Sequence, residues 1–448
     1  MGDIFTGEIK RKNFIKFVWP SILMMLVIAL YFGMDSVLVA NFIGEDALAA
    51  MSIAYPVQGL MWGISVMLAA GSSAIVAIKM GEGNQEEANG KYSLICVVSL
   101  VAGCIFTTVT LLFLPQIIGI LGATENLWDY CYDFLSILAW GVPAAFLGVI
   151  FEYFIRVDGS PAFTLFLYIM GGVAHLAFAV ILLGPLDMGI EGTAIANVAG
   201  HTMVMLVGGA YFVFGKTKLR FTGFRVDWRY IGHCFGNGSS EMVSESSAGI
   251  TTFFFNMVVI NLVGEVGVAA ISIVLNMHYF IISLHLGYIM GIAPLISYFY
   301  GAREYDKVNK ILSYSKKFIL ITSVASVAVC LLFGNLLVML YERPGSELYE
   351  LAVAGVRFLA PALLLGGVNI FASGFFTAYG NGAISALISA SRALIMVIAG
   401  MYLLSWLLGM PGVWLTLTFA EVMTLGLTYS MFRKYKDRYH YSFGIGKL

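Results

Sequence analysis

The chain has 448 residues, 60% of them hydrophobic and 11% charged, with a formal net charge of -1 and a mean hydropathy of +0.88. No sphere of this size hides so much apolar surface from water, so the composition excludes a soluble enzyme or a nucleic-acid binder and makes lipid the solvent. The near-zero net charge decides nothing, because in a membrane protein the placement of cations relative to the spans carries the information.

A helix needs roughly 20 apolar residues to cross a hydrocarbon core of about 30 Å. The opening segment MGDIFTGEIKRKNF leads straight into a long apolar run with no short h-region and small-residue cleavage site, so no cleaved signal peptide is expected. From there, apolar runs bounded by polar residues, Gly or Pro predict spans over 14–41, 52–79, 92–121, 130–155, 161–184 and 190–214. A basic, aromatic stretch, 215–236, follows, and then spans over 239–263, 268–299, 314–341, 352–379, 383–408 and 411–433. Each run is far longer than the roughly ten residues of a barrel strand, so the expected fold class is an all-α membrane protein of twelve transmembrane helices.

Of the 25 Lys and Arg residues, all but Arg343, Arg357 and Arg392 fall on one side when both termini are placed in the cytoplasm; Arg156 is counted there as the residue that follows span four. That asymmetry predicts a multi-pass protein of the plasma (inner) membrane with cytoplasmic termini. Cys96, Cys104, Cys131, Cys234 and Cys330 stand singly, without ligand spacing, and read as small buried hydrophobes.

The two groups of six spans are copies of each other. NFIGEDALAAMSI at 41–53 matches NLVGEVGVAAISI at 261–273. The same offset of 220 residues pairs Gly71 with Gly291, Gly81 with Gly301, Asn89 with Asn309, and GIEG at 189–192 with GMPG at 409–412. The domain organisation expected from this is an N-lobe over 1–214, a cytoplasmic linker over 215–236, a C-lobe over 237–433 and a cytoplasmic tail over 434–448. Repeats of equal parity are related by an axis along the membrane normal, and in transporters built this way the substrate lies between the halves near the midplane.

WPSILMMLVIALYFGMDSVLVANFIGEDALAAMSIAYP, IRVDGSP after span four, GIEGTAIAN opening span six, FFTAYGNG after span ten and SR at 391–392 together resemble the multidrug and toxic compound extrusion (MATE) transporters, over essentially the full chain. The resemblance implies a V-shaped pair of pseudo-symmetric six-helix bundles. It also implies export of amphipathic, often cationic organic compounds in exchange for H⁺ or Na⁺, a monomer in the bilayer, and no cofactor beyond the coupling ion. The loop KMGEGNQEEANG between spans two and three is acidic, unlike the basic Gly-rich loop of the major facilitator type.

Asp35 is the first candidate for cation coupling, since a carboxylate retained in the middle of a span faces a polar cavity or a partner. The resemblance strengthens it: Asp35 falls on the acidic residue of the first span in both the DinF-type and NorM-type branches. The DinF-type Asn and Asp of span five fall on His175 and Ala179, and its span-six Thr falls on Asn197, so the coupling set expected here is Asp35, Asn197 and His175. In span seven, Glu241 and Glu245 are four apart and share a helix face. Glu245 is the candidate for the central cavity, and Glu241 is expected in solvent near the cytosolic end. The NorM-type Na⁺ site is not reproduced, because its span-ten acid falls near Val368 or Asn369. The chain therefore looks closer to the DinF-type branch.

Glu421 in span twelve aligns in the repeat with His201, so both halves place a titratable group there. It is read either as a cavity residue or as bonded to backbone or to Arg392, which is expected to tie spans at the cytosolic end. Asn256, Asn369 and His278 complete the candidates for the substrate cavity. His278 and His285 share a face without a third ligand, and no metal site is expected. Two other readings are a lipid-linked oligosaccharide flippase, which calls for a cationic cavity, and a non-transport membrane enzyme or receptor, for which no nucleophile, phosphate-loop or paired His/Glu motif is present.

Overall fold

The computed structural model describes residues 4, 5 and 7–442, with the side chains of 30–37, 40 and 45 outside that description. The described residues are helical almost throughout and contain no strand. The elements are α1 (Arg11–Phe42), α2 (Glu45–Gly81), α3 (Gln85–Leu112), the short α4 (Leu114–Ile120), α5 (Glu125–Val157), α6 (Pro161–Leu183) and α7 (Gly189–Phe214). They continue with α8 (Trp228–Gly301), α9 (Tyr305–Val338), α10 (Glu347–Ala378), α11 (Gly382–Ala390), a π-helical turn (Ser391–Ile395), α12 (Met396–Leu408) and α13 (Met410–Tyr439). Helix is what lipid demands, because it satisfies every backbone N–H and C=O within its own segment.

Eleven of these helical stretches, counting α11 to α12 as one, are long and apolar enough to cross a membrane. One of them, α8, has 74 residues. At about 1.5 Å per residue a straight helix of that length would run on the order of 110 Å, far beyond one bilayer. It is broken at Gly264, whose φ of 75° and ψ of -159° reverse the chain. Residues 228–263 and 265–301 are thus two spanning limbs, which makes twelve. The second packs back on the first: Phe255 and Val259 share a buried cluster with Ala270, Ile271 and Val274.

The repeat has a backbone signature. Gly44 (φ 120°) turns the chain between α1 and α2 as Gly264 does between the limbs of α8, Gly189 (φ 59°) and Gly409 (φ 66°) stand at the starts of the equivalent helices α7 and α13, and Gly83 (φ 80°) matches Arg303 (φ 58°). Each pair is 220 residues apart. Positive φ is what glycine supplies at little cost; at Arg303 the second copy adopts it with a side chain.

The halves join through their first two spans, reciprocally. Helix α2 lies on the first limb of α8: a Cβ on Gly71 would collide with the Cys234 carbonyl, and one on Gly238 with the Met67 carbonyl. The second limb of α8 lies on α1 in the same way, with Gly287 against Ile22 and Ser21 and Gly291 against Val18 and Ser21. At their C-terminal ends α2 and α8 cross where Gly81 meets Tyr298 and Gly301 meets Ile78. Small residues allow this approach where lipid supplies no hydrophobic drive between helices. A buried cluster of Phe14, Phe17, Val18 and Ile22 with Tyr288, Ile292 and Phe299 spans the joint. At the opposite end, the cluster around Phe134 and Leu138 belongs to the first half alone. The cluster around Trp414 and Val356 belongs to the second half alone. The two bundles therefore meet at one end and diverge toward the other.

The segment 215–227 joins α7 to α8, whose start at Trp228 lies inside the stretch read from sequence as linker. It is pinned to the first half: the Asp158 carboxylate accepts from the backbone N–H of Lys218 (2.7 Å) and Leu219 (2.9 Å), and Asn89 Oδ1 from that of Arg220 (3.1 Å). Asp227 caps α8 by accepting from the Tyr230 N–H at 2.9 Å. That bond, with Lys91 3.4 Å away, holds its carboxyl below the usual aspartate range.

Candidate functional site: a cavity between the halves

Where the bundles diverge, a cavity of about 300 Å³ opens between α1, α2, α5, α6 and α7 of the first half and α8, α10 and α11 of the second. Most of its wall is apolar, with Met25, Trp62, Val66, Ile289 and Met290 among the lining residues. Soft and aromatic surfaces of this kind accept varied apolar groups and attract cations through the ring face. Its floor is the joint: Asn237 Nδ2 donates to the Gly71 carbonyl (3.3 Å) across the halves and to the Thr377 carbonyl (3.0 Å), and Ser297 Oγ donates to the Ala378 carbonyl (2.7 Å).

The first half presents a buried ion pair that sequence reading missed. Glu152 and Arg156, one turn apart on α5, pair at 2.8 Å and are 2% and 1% exposed. Tyr168 of α6 donates to the other Glu152 oxygen at 2.7 Å, Arg156 Nη1 approaches Met24 Sδ of α1 at 3.7 Å, and the guanidinium lies 4.5 Å from the Tyr153 ring centroid. Arg156 is therefore not a cytoplasmic loop residue. Its neighbourhood FEYFIRV is apolar because it is buried, and the i, i+4 spacing of Glu152 and Arg156 was the available signal. Two histidines share this side: His175, 2% exposed, and His201, whose ring meets Trp62 edge-on at 5.3 Å. Asn197 also lines the cavity and donates to the Thr193 carbonyl at 3.1 Å. Asp35 lies on α1, but its side chain is outside the described residues.

The second half has its own ion pair. Arg392 Nε donates to Glu421 Oε1 at 3.0 Å, and Asn369 Nδ2 donates to Glu421 Oε2 at 2.7 Å and to the Glu421 carbonyl at 2.9 Å. Thr428 completes the chain by donating to Asn369 Oδ1 at 2.8 Å. Arg392 and Asn369 line the cavity, and Glu421 stands behind them, 4% exposed. Arg392 does not tie the cytosolic end. It sits ten residues into the spanning segment that starts at Gly382, roughly 15 Å deep at helical rise.

Glu241 and Glu245 both line the cavity, so Glu241 is not a solvated end residue. Unlike Glu152 and Glu421, neither has a cationic partner within ion-pair distance among the described residues. Asn256 and His278 are not among the described lining residues. Asn256 is eleven residues beyond Glu245, about 16 Å further toward the Gly264 turn. His278 precedes the lining residue Tyr279 on α8. His285, two turns further along the helix, lies 3.0 Å from the Thr322 hydroxyl of α9.

A polytopic bundle duplicated about an axis through a largely apolar central cleft that holds a few charged side chains defines the class: a membrane transporter. The MatE family model matches the chain twice, over residues 20–181 and 242–403, once in each half, and the chain belongs to that family. It is 21% identical over 419 residues to the multidrug export protein MepA of Staphylococcus saprophyticus, covering 92% of this chain and 91% of that protein. Among solved structures it superposes on a MATE protein in complex with MaL6 with a TM-score of 0.91, at 21% identity and 98% of both chains. On an outward-facing multidrug resistance MATE family transporter the TM-score is 0.89, at 22% identity, covering 98% of this chain and 97% of that one.

Proposed function

We propose that the protein is a secondary antiporter of the plasma membrane that exports amphipathic, often cationic organic compounds in exchange for H⁺ or Na⁺. The observation that carries this reading is the excess of carboxylate in the cavity: both arginines are neutralised by a glutamate, while Glu241 and Glu245 remain without a cationic partner. In a low-dielectric, largely apolar cleft such carboxylates take up a cation, either an organic one or the coupling ion. Asp35, with Asn197 and His175 beside the same cavity, is assigned the ion-coupling role, so that loading one site biases the other. The bundles then rock against each other, the glycine joint parting as the far end closes, so that the cleft is exposed to each face in turn. With both termini in the cytosol, the form described here opens away from the cytosol. The excess of carboxylate also ranks the flippase reading lower, since a pyrophosphate calls for cations without partners.

The test is efflux of a fluorescent organic cation from proteoliposomes under an imposed pH gradient or Na⁺ gradient in turn. One gradient is expected to drive efflux, and Asp35→Asn to abolish it. Accumulation that stays unchanged across a broad dye panel under both gradients would overturn the reading.

A further inference from the structure

We infer that Arg392 is an anion-reading residue in the transport cavity, so that the molecules this chain holds best carry a carboxylate or similar oxyanion beside their cationic group. This rests on the export reading and narrows its substrate class.

Three observations converge. First, Arg392 is satisfied on one side only: its Nε donates to Glu421, and no partner among the described residues takes either Nη group. Those two nitrogens are not among the buried polar atoms lacking a partner, and the residue lines the cavity, so they face the open space. A guanidinium pinned through Nε presents its two outer donors as a fixed fork, the geometry that matches two oxygens of a carboxylate. Second, the residue stands on a π-helical turn, Ser391–Ile395, in which the Met396 N–H reaches back to the Ser391 carbonyl. Such turns insert one residue into a helix and re-aim the side chains there. Ser391 bonds Thr424 of α13 at 3.0 Å, which fixes the turn against its neighbour. Third, Glu421 is itself held by Asn369, which is held in turn by Thr428. The pair is thus a rigid mount rather than two mobile side chains, and a rigid mount loses little entropy on binding.

Arg156 is the internal contrast. Its Nη2 pairs with Glu152, its Nη1 meets Met24, and its plane rests near Tyr153, so it is used up by the protein. On the same wall as Arg392, Glu241 and Glu245 supply the cation-binding counterpart. A molecule with both signs would be held at two points.

The experiment uses full-length protein in lipid nanodiscs and a matched pair of dyes: rhodamine B, which has a free carboxylate beside its delocalised cation, and its ethyl ester, which lacks that charge. Fluorescence polarisation is expected to show the acid bound about tenfold more tightly than the ester. Arg392→Gln should remove the preference for the acid whatever the bared Glu421 carboxylate does to ester affinity, and Arg392→Lys should keep part of it, a point charge without the fork. If Arg392→Gln loses both dyes, the charge-balanced double variant Arg392→Gln with Glu421→Gln decides: ester binding without preference supports the inference, and a surviving preference overturns it. Equal affinity of acid and ester for the unaltered protein would overturn the anion subsite and leave the export reading standing. No binding of either dye together with no cation efflux would overturn both.

Discussion

Four charged side chains at the cavity, Glu152, Arg156, Arg392 and Glu421, dominate the residue scale, all but Arg392 fully buried, and they come as two pairs that cannot be broken singly without leaving a bare charge. For Arg156→Met the expected cost is about 3–5 kcal/mol, read as a lowered unfolding midpoint of the detergent-solubilised protein. Adding Glu152→Leu should return most of the loss; a double variant as unstable as the single one would show that the pair contributes more than mutual neutralisation. The sequence displayed these residues unevenly. Glu421 and Arg392 were visible as charges in apolar runs and their pairing stood as one of two readings. Arg156 was hidden by its place at the end of a run, where a loop cation and a buried one look alike. His278 and Asn256 were misplaced for a geometric reason: the wall of a cleft depends on helix phase and depth, which hydropathy does not resolve.

At the scale of elements, the glycines of the joint are the sensitive points. Gly71→Ala or Gly238→Ala would drive a methyl group into the facing backbone and wedge α2 from α8, and a large loss of stability and of dye binding is expected together. Gly249→Ala, on α8 where a methyl group meets nothing within 4 Å, is the control. It should be neutral or stabilising by up to about 1 kcal/mol, because alanine is the better helix former. Equal damage from both kinds of substitution would argue against the joint. Span positions were readable from length and apolarity alone, and the turn at Gly264 from its match with Gly44. The π turn at Ser391–Ile395 was not, since SRALI carries no proline or glycine that would announce it.

For the whole molecule, rocking that parts the joint predicts a distance change at the floor end. Glu86 and Asp306 occupy equivalent positions, 220 residues apart, at the starts of α3 and α9. Spin labels at Glu86→Cys and Asp306→Cys, with exposed Cys104 replaced by Ser, should report one short distance in the form described here. A second, longer population is expected when coupling ion or substrate is supplied. One unchanged distance under every pH, Na⁺ and ligand condition would argue against alternating access by rigid halves. The duplication itself was legible in the one-dimensional string; how the copies embrace was not, because the contacts run between residues that the repeat places in opposite halves.

That embrace constrains how the protein is made. Helix α2 rests on a helix that is not synthesised until after residue 228, and α1 on one not finished before residue 301, so their joint-forming faces must wait in the bilayer while more than half of the polypeptide is still to be inserted. Maturation of the first bundle is tied to the arrival of the second, and two fragments severed in the segment 215–227 and expressed together should find each other, where either expressed alone should be degraded.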